Sequence, residues 1–220
     1  LKIGTNGISE INSFDTEKFN VKIHWVEHYY GPERPIHRTK EVTYETASRN
    51  GEPFERLIDH RGLLPNPANR MCTSELKIKV MQRFMRKIMG YKTWSTAIGL
   101  RYDEPRRVAS SKRANDYESW TNITPIYDAK HTVKDVTKFW EKQNFDLKLV
   151  NQDGKTPAGN CDLCFLKGMK TINSILKERP EMADWWIKQE KKFPGQTGGK
   201  FRINRPDYIQ LLDISKQDDQ

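Results

Sequence analysis

The sequence predicts an α/β fold that ends in a helical C-terminal portion over residues 165–220. Some segments alternate apolar and polar residues, as strands do, and others repeat apolar residues at helical spacing. The two kinds of segment follow each other along the chain. Strands that alternate with helices indicate a sheet with parallel strands. The chain has 220 residues, of which 35% are hydrophobic, enough for one sizeable core. We find no internal repeat and no second boundary, and we expect one domain over residues 1–220.

The first half of the chain contains two predicted strands and two predicted helices. Residues Val21–Val26 alternate apolar and polar side chains, and Lys40–Tyr44 form a second, shorter strand. A helix begins at Pro53 and ends at Gly62. The clearest helix is Ser74–Met89, stopped by a glycine. Its predicted apolar face comprises Leu76, Ile78, Val80, Met81, Phe84, Met85 and Ile88.

The middle of the chain is predicted to contain a buried strand, a polar segment and one capped helix. The strand is Trp94–Leu100, the polar segment is Ser110–Ser119, which we expect to be mobile, and Ile123–Tyr127 form a short extended run. Thr132 caps a helix, with Asp135 three residues later as a weaker variant of the capping box. The predicted buried face of that helix comprises Val133, Val136, Phe139 and Trp140.

Three helices are predicted for the C-terminal portion. They are Lys167–Lys177, Glu181–Lys192 and a last helix that Pro206 opens. We expect Trp140, Trp185 and Trp186 to pack in the core, with base stacking as the alternative.

Charge and cysteine content narrow the class of protein. The formal net charge is +9, which favours anionic partners such as nucleotides, sulfate or phosphate esters, or nucleic acid. No run of about 18 apolar residues occurs, so we expect no membrane span. The start of the chain has no signal-peptide pattern. Three cysteines do not make a secreted disulfide framework, and we expect a reducing cytoplasm.

The cysteines carry the strongest chemical signal. Cys161 and Cys164 lie in a glycine-led turn, Gly159–Lys167, and Cys72 completes a set of three. Three thiolates can hold an iron–sulfur cluster with one iron left open, or a zinc ion with one foreign ligand. A redox pair or packed thiols remain the alternatives. His60 is a weak candidate for the foreign zinc ligand.

Cationic side chains lie close to the cysteines and after the buried strand. Lys77, one helical turn from Cys72, can lower a thiol pKa or balance cluster charge. Arg101, Arg106 and Arg107 fall within seven residues. Their guanidinium groups suit phosphate and sulfate oxygens, and the end of a strand is where open α/β sheets bind ligands. The alternative is a solvated loop whose arginines pair with its own carboxylates, Asp103 and Glu104.

Three segments together resemble the phosphoadenosine phosphosulfate reductase family of the PP-loop ATP pyrophosphatase superfamily, in a branch often carried by phages and bacteria. They are Arg70–Ile78, Ile98–Arg107, and Pro125–Tyr127 followed by Thr132–Val136 and the cysteine turn. The resemblance runs from about Val21 to the C-terminus. It implies a PP-loop (adenine nucleotide alpha hydrolase-like) fold with a parallel sheet.

The resemblance also implies a cofactor and a set of site residues. Cys72 matches the first of two adjacent cysteines in adenylylsulfate reductases, Thr73 replaces the second, and Cys161 and Cys164 match the later pair. These residues would hold a 4Fe–4S cluster with one iron available. Arg101 would face the sulfate or phosphate of the substrate. The implied contacts to substrate or nucleotide are Gly99, Arg101, Glu104, Arg106, Arg107 and Lys77.

Two family features do not occur in this sequence. The Ser-Gly-Gly-x-x-Ser phosphate loop is missing, and Gly4–Gly7 is no convincing substitute. The C-terminal Glu-Cys-Gly nucleophile of the reductases is also missing. These departures call ordinary sulfonucleotide reduction through an enzyme-bound thiosulfonate into question.

Two functions follow as hypotheses. The first is an enzyme of sulfur chemistry that binds ATP with magnesium, or an adenylyl sulfonucleotide. It would transfer sulfur to an acceptor such as DNA or tRNA, or reduce the sulfonucleotide with a sulfur donor or thioredoxin-like reductant. The second is a non-catalytic nucleic-acid or protein-binding module on a degenerate PP-loop scaffold with a structural metal site.

Overall fold

The computed structural model of the chain describes residues 20–30, 38–116, 118–144, 156, 161–195 and 199–217. It is a mixed α/β protein. Its contacts divide the chain into two units, one made of Leu1–Phe84 with Pro157–Gln220 and the other of Met85–Thr156. The single domain expected over residues 1–220 stays a prediction. The Gly4–Gly7 segment, and Gly159 and Asn160 of the cysteine turn, lie outside the described residues.

The described elements are short and mostly helical. In chain order they are β1 (Trp25–His28), β2 (Thr39–Val42), α1 (Glu52–Arg61), α2 (Met71 to Ile88), β3 (Trp94–Ala97), α3 (Pro105–Arg113), β4 (Trp120–Ile123), α4 (Pro125–Asp128), α5 (Val133–Glu141), α6 (Met169–Glu178), α7 (Ala183–Glu190) and α8 (Tyr208–Gln217). Among these residues, no helix is both long enough and apolar enough to cross a bilayer.

The sheet of the first unit is an antiparallel pair. Strand β1 pairs with β2 in a register that sets Trp25 opposite Val42 and His28 opposite Thr39. The prediction of two strands here is confirmed, although β1 begins and ends later than the alternation of Val21–Val26 indicated. The Thr39 hydroxyl donates a 3.4 Å hydrogen bond to the carbonyl oxygen of Val80, which ties this sheet to α2.

Helix α1 begins at Glu52, one residue before the predicted Pro53, and ends before Gly62, as predicted. Gly51 precedes it with φ +83° and Gly62 follows it with φ +64°, both in the left-handed region that glycine adopts without a steric penalty. Pro53 occupies the first turn, where a missing N–H costs nothing. Its buried residues Phe54, Leu57 and Ile58 then face the core of the first unit.

Helix α2 begins three residues before the predicted Ser74 and contains two π-helical stretches, Ser74–Ile78 and Phe84–Ile88. Its predicted apolar face is wrong in part. Val80 and Phe84 are buried, but the exposed apolar residues of the segment include Ile78, Met81 and Ile88. Each π turn adds a residue to the helical repeat and rotates the following side chains away from an ideal 3.6-residue face.

The core of the first unit lies between α1, the cysteine turn and the C-terminal helices. Its buried members are Phe54, Leu57, Ile58, Leu64, Met71, Leu163, Phe165, Ile172, Leu176, Ala183, Trp186, Phe201, Tyr208 and Leu211. Trp186 is 5% exposed, as predicted for a core residue, and Trp185 packs against the same cluster. The three helices predicted for residues 165–220 are present as α6, α7 and α8, although α8 begins at Tyr208, after the predicted Pro206.

The second unit contains a parallel strand pair. Strand β3 pairs with β4 so that Trp94 lies opposite Trp120, and their rings stack with centroids 5.4 Å apart. Helix α3 connects the two strands, as parallel neighbours require. The expected extended run over Ile123–Tyr127 is wrong beyond the strand end, because Pro125 opens the short helix α4.

Two further expectations for the second unit are corrected. Part of the polar segment Ser110–Ser119 is ordered, because α3 extends to Arg113 and a 3-10 turn follows at Ala114–Asp116. The capping box of Thr132 and Asp135 is present at the start of α5. However, α5 has no buried residue within the described chain, and its Phe139 and Trp140 are 52% and 48% exposed.

Candidate functional site

The three cysteines belong to the same unit. Cys72 lies in the first turn of α2, while Cys161 and Cys164 lie in the turn before α6. In that turn the Cys164 N–H donates to the Cys161 carbonyl oxygen at 3.3 Å, and the Lys167 N–H donates to the Cys164 carbonyl oxygen at 2.8 Å. These hydrogen bonds hold both thiols on one tight backbone loop.

The thiols are electrostatically coupled. The Cys161 thiol is hydrogen-bonded to Cys164, which raises the pKa of Cys161 and lowers the pKa of Cys164. Burial and then the neighbouring Cys161 raise the pKa of Cys72, and Cys72 in turn opposes ionisation of Cys164. Residues 72, 161 and 164 therefore share one neighbourhood, although about 90 residues separate the first from the others.

Two lysines lie near the thiols. The charge of Lys77 acts to lower the pKa of both Cys72 and Cys161, although burial and neighbouring thiols outweigh it. The charge of Lys167 lowers the pKa of Cys164, and burial lowers the pKa of Lys167 itself. The sequence predicted Lys77 beside Cys72. It did not lead us to predict Lys167 beside Cys164, although a spacing of three residues places the two close together.

The donor chemistry of the three cysteines suits a soft metal or an iron–sulfur cluster. In the part of the chain that is described, however, no group of three or more His, Cys, Asp and Glu side chains is arranged to hold a metal ion. His60, the weak candidate for a zinc ligand, packs against Tyr30 with the rings tilted by 33° and their centroids 4.7 Å apart. The three thiols therefore suit such a group by their chemistry and not by the arrangement described, and a metal at this site stays a hypothesis.

The arginine-rich segment lies in the second unit, after β3. Its Arg106 and Arg107 lie in the first turn of α3 rather than in a loop, because Pro105 begins that helix. The segment follows the carboxyl end of the parallel strand pair, as expected for a ligand-binding loop. Gly99 precedes it, and a Cβ atom added there would meet nothing within 4 Å.

The segment is internally paired. Arg101 Nε donates to Asp103 Oδ1 at 3.0 Å, and its backbone N–H donates to Glu104 Oε2 at 3.1 Å. Arg107 also hydrogen-bonds Glu104. Burial acts to raise the pKa of Glu104, but these hydrogen bonds and charges outweigh it and lower that pKa. The segment thus brings Arg101, Glu104 and Arg107 together, and an anion would have to compete with its own carboxylates.

A buried carboxylate in α2 was missed at the level of sequence. Glu75 is 3% exposed and contacts Arg61 at 2.7 Å, Lys79 at 2.9 Å and Arg83 at 3.5 Å. Burial acts to raise the pKa of Glu75, but its cationic neighbours outweigh it and lower that pKa. The spacing of Glu75 and Lys79, one helical turn apart, was an available signal.

Comparison with known proteins identifies one uncharacterised relative. The chain is 26% identical over 127 residues to the "Uncharacterized nin region protein ORF290" of Escherichia phage lambda, and the match covers 58% of this chain. It spans 39% of the relative's length. No family model matches the chain, and no solved structure matches it. The chain is thus similar to a phage protein whose printed name states no activity.

Proposed function

We propose that the chain is an enzyme of sulfur chemistry with a PP-loop fold, similar to the phosphoadenosine phosphosulfate reductase family. It binds an adenine nucleotide and uses Cys72, Cys161 and Cys164 as a three-thiol site. The observation that supports this most is the electrostatic coupling of these three thiols within one unit. The site is proposed to operate in the cytoplasm.

The three thiols are proposed to hold a 4Fe–4S cluster, with zinc as the alternative. A cluster held by three cysteines would supply an open iron site for a sulfur atom. Lys77 and Lys167 offset the negative charge of the thiolates, since both charges act to lower thiol pKa values. The hydrogen-bonded turn of Cys161 and Cys164 orients two of the three sulfurs before any ligand binds.

The nucleotide is proposed to bind at the arginine-rich segment of the second unit. Gly99, Arg101, Glu104, Arg106 and Arg107 would contact ATP, with magnesium, or an adenylyl sulfonucleotide. Guanidinium groups form charge-assisted hydrogen bonds with phosphate and sulfate oxygens. Lys77, which the family resemblance also implies as a contact, lies in the first unit, where its charge acts on Cys72.

Metal analysis tests the thiol site directly. We expect anaerobically purified protein to carry about four irons with matching sulfide, and Cys72→Ser, Cys161→Ser or Cys164→Ser to lose most of both. Leu166→Ala, an exposed position in the same turn, is the matched control and should retain iron. One stoichiometric zinc per chain would refute the cluster and favour a structural site.

Nucleotide titration tests the arginine-rich segment. Arg101→Ala should weaken binding of ATP or a sulfonucleotide by at most about 1.5–3 kcal/mol, the strength of a charge-assisted hydrogen bond. The loss should fall at the lower end, because Arg101 already pairs with Asp103 and Glu104. Arg113→Ala, at the exposed far end of α3, should bind as wild type. An unchanged affinity in Arg101→Ala together with lower stability would make the arginine structural.

Product analysis separates the two reactions. ATP, sulfide and DNA or tRNA should yield AMP, pyrophosphate and a thiolated acceptor if sulfur transfer is the activity. A sulfonucleotide with reduced thioredoxin should instead release sulfite if the protein is a reductase. If the metal-loaded protein forms neither a thiolated acceptor nor sulfite, the enzymatic proposal is refuted.

The exposed aromatic pair of α5 favours a second candidate function, a nucleic-acid-binding module. Phe139 and Trp140 lie on a helix that also carries Lys134 and Lys138, and aromatic rings beside cations suit stacking on bases and attraction of phosphates. This candidate predicts binding whose affinity falls steeply with salt and is lost in Phe139→Ala. Salt-insensitive binding would contradict it.

A further inference from the structure

A pocket in the first unit opens beside Cys161. Its volume is about 280 Å³, and its lining includes Phe54, Trp185 and Trp186. This is close to the lower end of the size range of small-molecule sites. No motif in the sequence predicted a second binding site next to the cysteines.

The aromatic side chains of the pocket face in different directions. The Phe54 and Trp185 rings are tilted by 34° with centroids 5.0 Å apart, while Trp185 and Trp186 meet edge to face at 5.2 Å. Phe54 and Trp186 belong to the buried core, so their positions are held by packing. Of the three, Trp185 is the most exposed, so it is the ring most accessible to a bound molecule.

Gly51 leaves room for the indole of Trp185 to approach the backbone closely. Its φ of +83° disfavours any other residue, and an added Cβ atom would lie 2.9 Å from Trp185 Nε1. Gly51 also lines the pocket. The backbone at residue 51 and the Trp185 ring therefore define one wall together.

The charge of the pocket is opposite to that of the chain. Asp162, Glu181 and Asp184 line it, against one cation, Arg179. Arg179 donates to Glu181 at 3.5 Å. Asp184 is exposed in the first turn of α7 and has no ion-pair partner among the described residues. Carboxylates are thus in excess here, on a chain whose net charge is +9.

We propose that this pocket binds a small organic cation, an ammonium group on an apolar or planar body. Aromatic faces attract such a cation through their quadrupoles, and the carboxylates at the pocket complement its charge. A phosphate-bearing ligand would meet the same carboxylates unfavourably, which separates this site from the proposed nucleotide site. The inference goes beyond the proposed function and depends on neither a metal nor a nucleotide.

Three probes of one shape test the charge preference. Benzylamine, benzyl alcohol and benzoate can be titrated into 15N-labelled protein while the indole N–H signal of Trp185 is followed, with Trp185→Phe assigning the signal. We expect benzylamine to bind at least about threefold more tightly than benzyl alcohol, from the cation–π and carboxylate contributions, and benzoate to bind weakest. A fourth titration with Nα-acetyl-lysine N-methylamide, whose ε-ammonium group is free, compares the affinity of a lysine side chain with that of benzylamine.

A matched pair of variants locates the site. Asp184→Asn should weaken benzylamine binding by about threefold, as expected for one exposed carboxylate, and leave benzyl alcohol unaffected. Asp213→Asn, an exposed carboxylate of α8 away from the pocket lining, should change neither. The proposal is overturned if benzoate or benzyl alcohol binds as tightly as benzylamine, if Asp184→Asn binds as wild type, or if no probe shifts the Trp185 signal.

Discussion

The buried histidine at the end of β1 makes the stability of the first unit depend on pH. His28 is 3% exposed, and neither ring nitrogen has a hydrogen-bond partner among the described residues. Burial, and then the charge of Arg83, lowers its pKa from 6.5 to about 4, with Arg38 and His60 acting in the same direction and Glu75 opposing them. The folded protein therefore keeps His28 neutral where an unfolded chain would protonate it.

The sign and size of the effect follow from proton linkage. Below about pH 6.5 the unfolded chain binds a proton at His28, while the folded chain does so only below about pH 4. The free energy of unfolding should therefore fall as the pH falls through this window. At about 1.4 kcal/mol per pH unit the full loss is about 3 kcal/mol, of which about 2 kcal/mol falls between about pH 7 and pH 5.

His28→Phe tests this reasoning, because phenylalanine keeps a ring against Tyr30, whose centroid is 4.5 Å away, but cannot bind a proton. Urea unfolding followed by far-ultraviolet circular dichroism should show that the variant loses about 2 kcal/mol less than wild type between about pH 7 and pH 5. At neutral pH it should be as stable as wild type or more stable, because no buried nitrogen is left without a partner.

The control is His131→Gln, which removes an exposed histidine and should leave the wild-type pH dependence unchanged. If His28→Phe retains the full loss of stability between neutral and mildly acidic pH, then His28 is hydrated or paired in solution. The assignment of its lowered pKa to burial would then be wrong.

Three further substitutions test the packing of the first unit. Glu75→Gln should lower the free energy of unfolding by about 1–3 kcal/mol, because three cationic neighbours lose their shared carboxylate while remaining partly hydrated. Gly51→Ala should cost more than about 1 kcal/mol, because left-handed backbone strain is added to a clash with Trp185. Tyr208→Phe should cost about 1 kcal/mol, because the buried hydroxyl donates to the Leu163 carbonyl oxygen.

Each of these substitutions has a control for the same urea assay. Glu178→Gln removes an exposed carboxylate and Tyr91→Phe removes a hydroxyl from a half-exposed tyrosine, so both should be nearly neutral. Gly62→Ala shares the positive φ of Gly51 but meets no atom within 4 Å. If both glycine variants lose the same free energy of unfolding, the contact with Trp185 contributes nothing. If Glu178→Gln loses as much as Glu75→Gln, or Tyr91→Phe as much as Tyr208→Phe, the packing argument is contradicted.

Helix ends and caps, which involve only one or two turns of chain, could be predicted from the sequence. Helix α1 has a proline in its first turn and ends before Gly62, and Thr132 with Asp135 caps α5, as predicted. These features depend on backbone conformations and hydrogen bonds between residues close in sequence. The identity of the three cysteines as a candidate site likewise needed no structure.

Packing between distant segments was decided only by the tertiary structure. Phe139 and Trp140 belong to the predicted buried face of α5, yet both are about half exposed. The pairing of β3 with β4, the burial of Glu75, and the pocket beside Cys161 all join residues far apart in sequence. Burial depends on which surfaces meet in the fold. Apolar periodicity within one segment predicts an apolar face but does not identify the element that covers it.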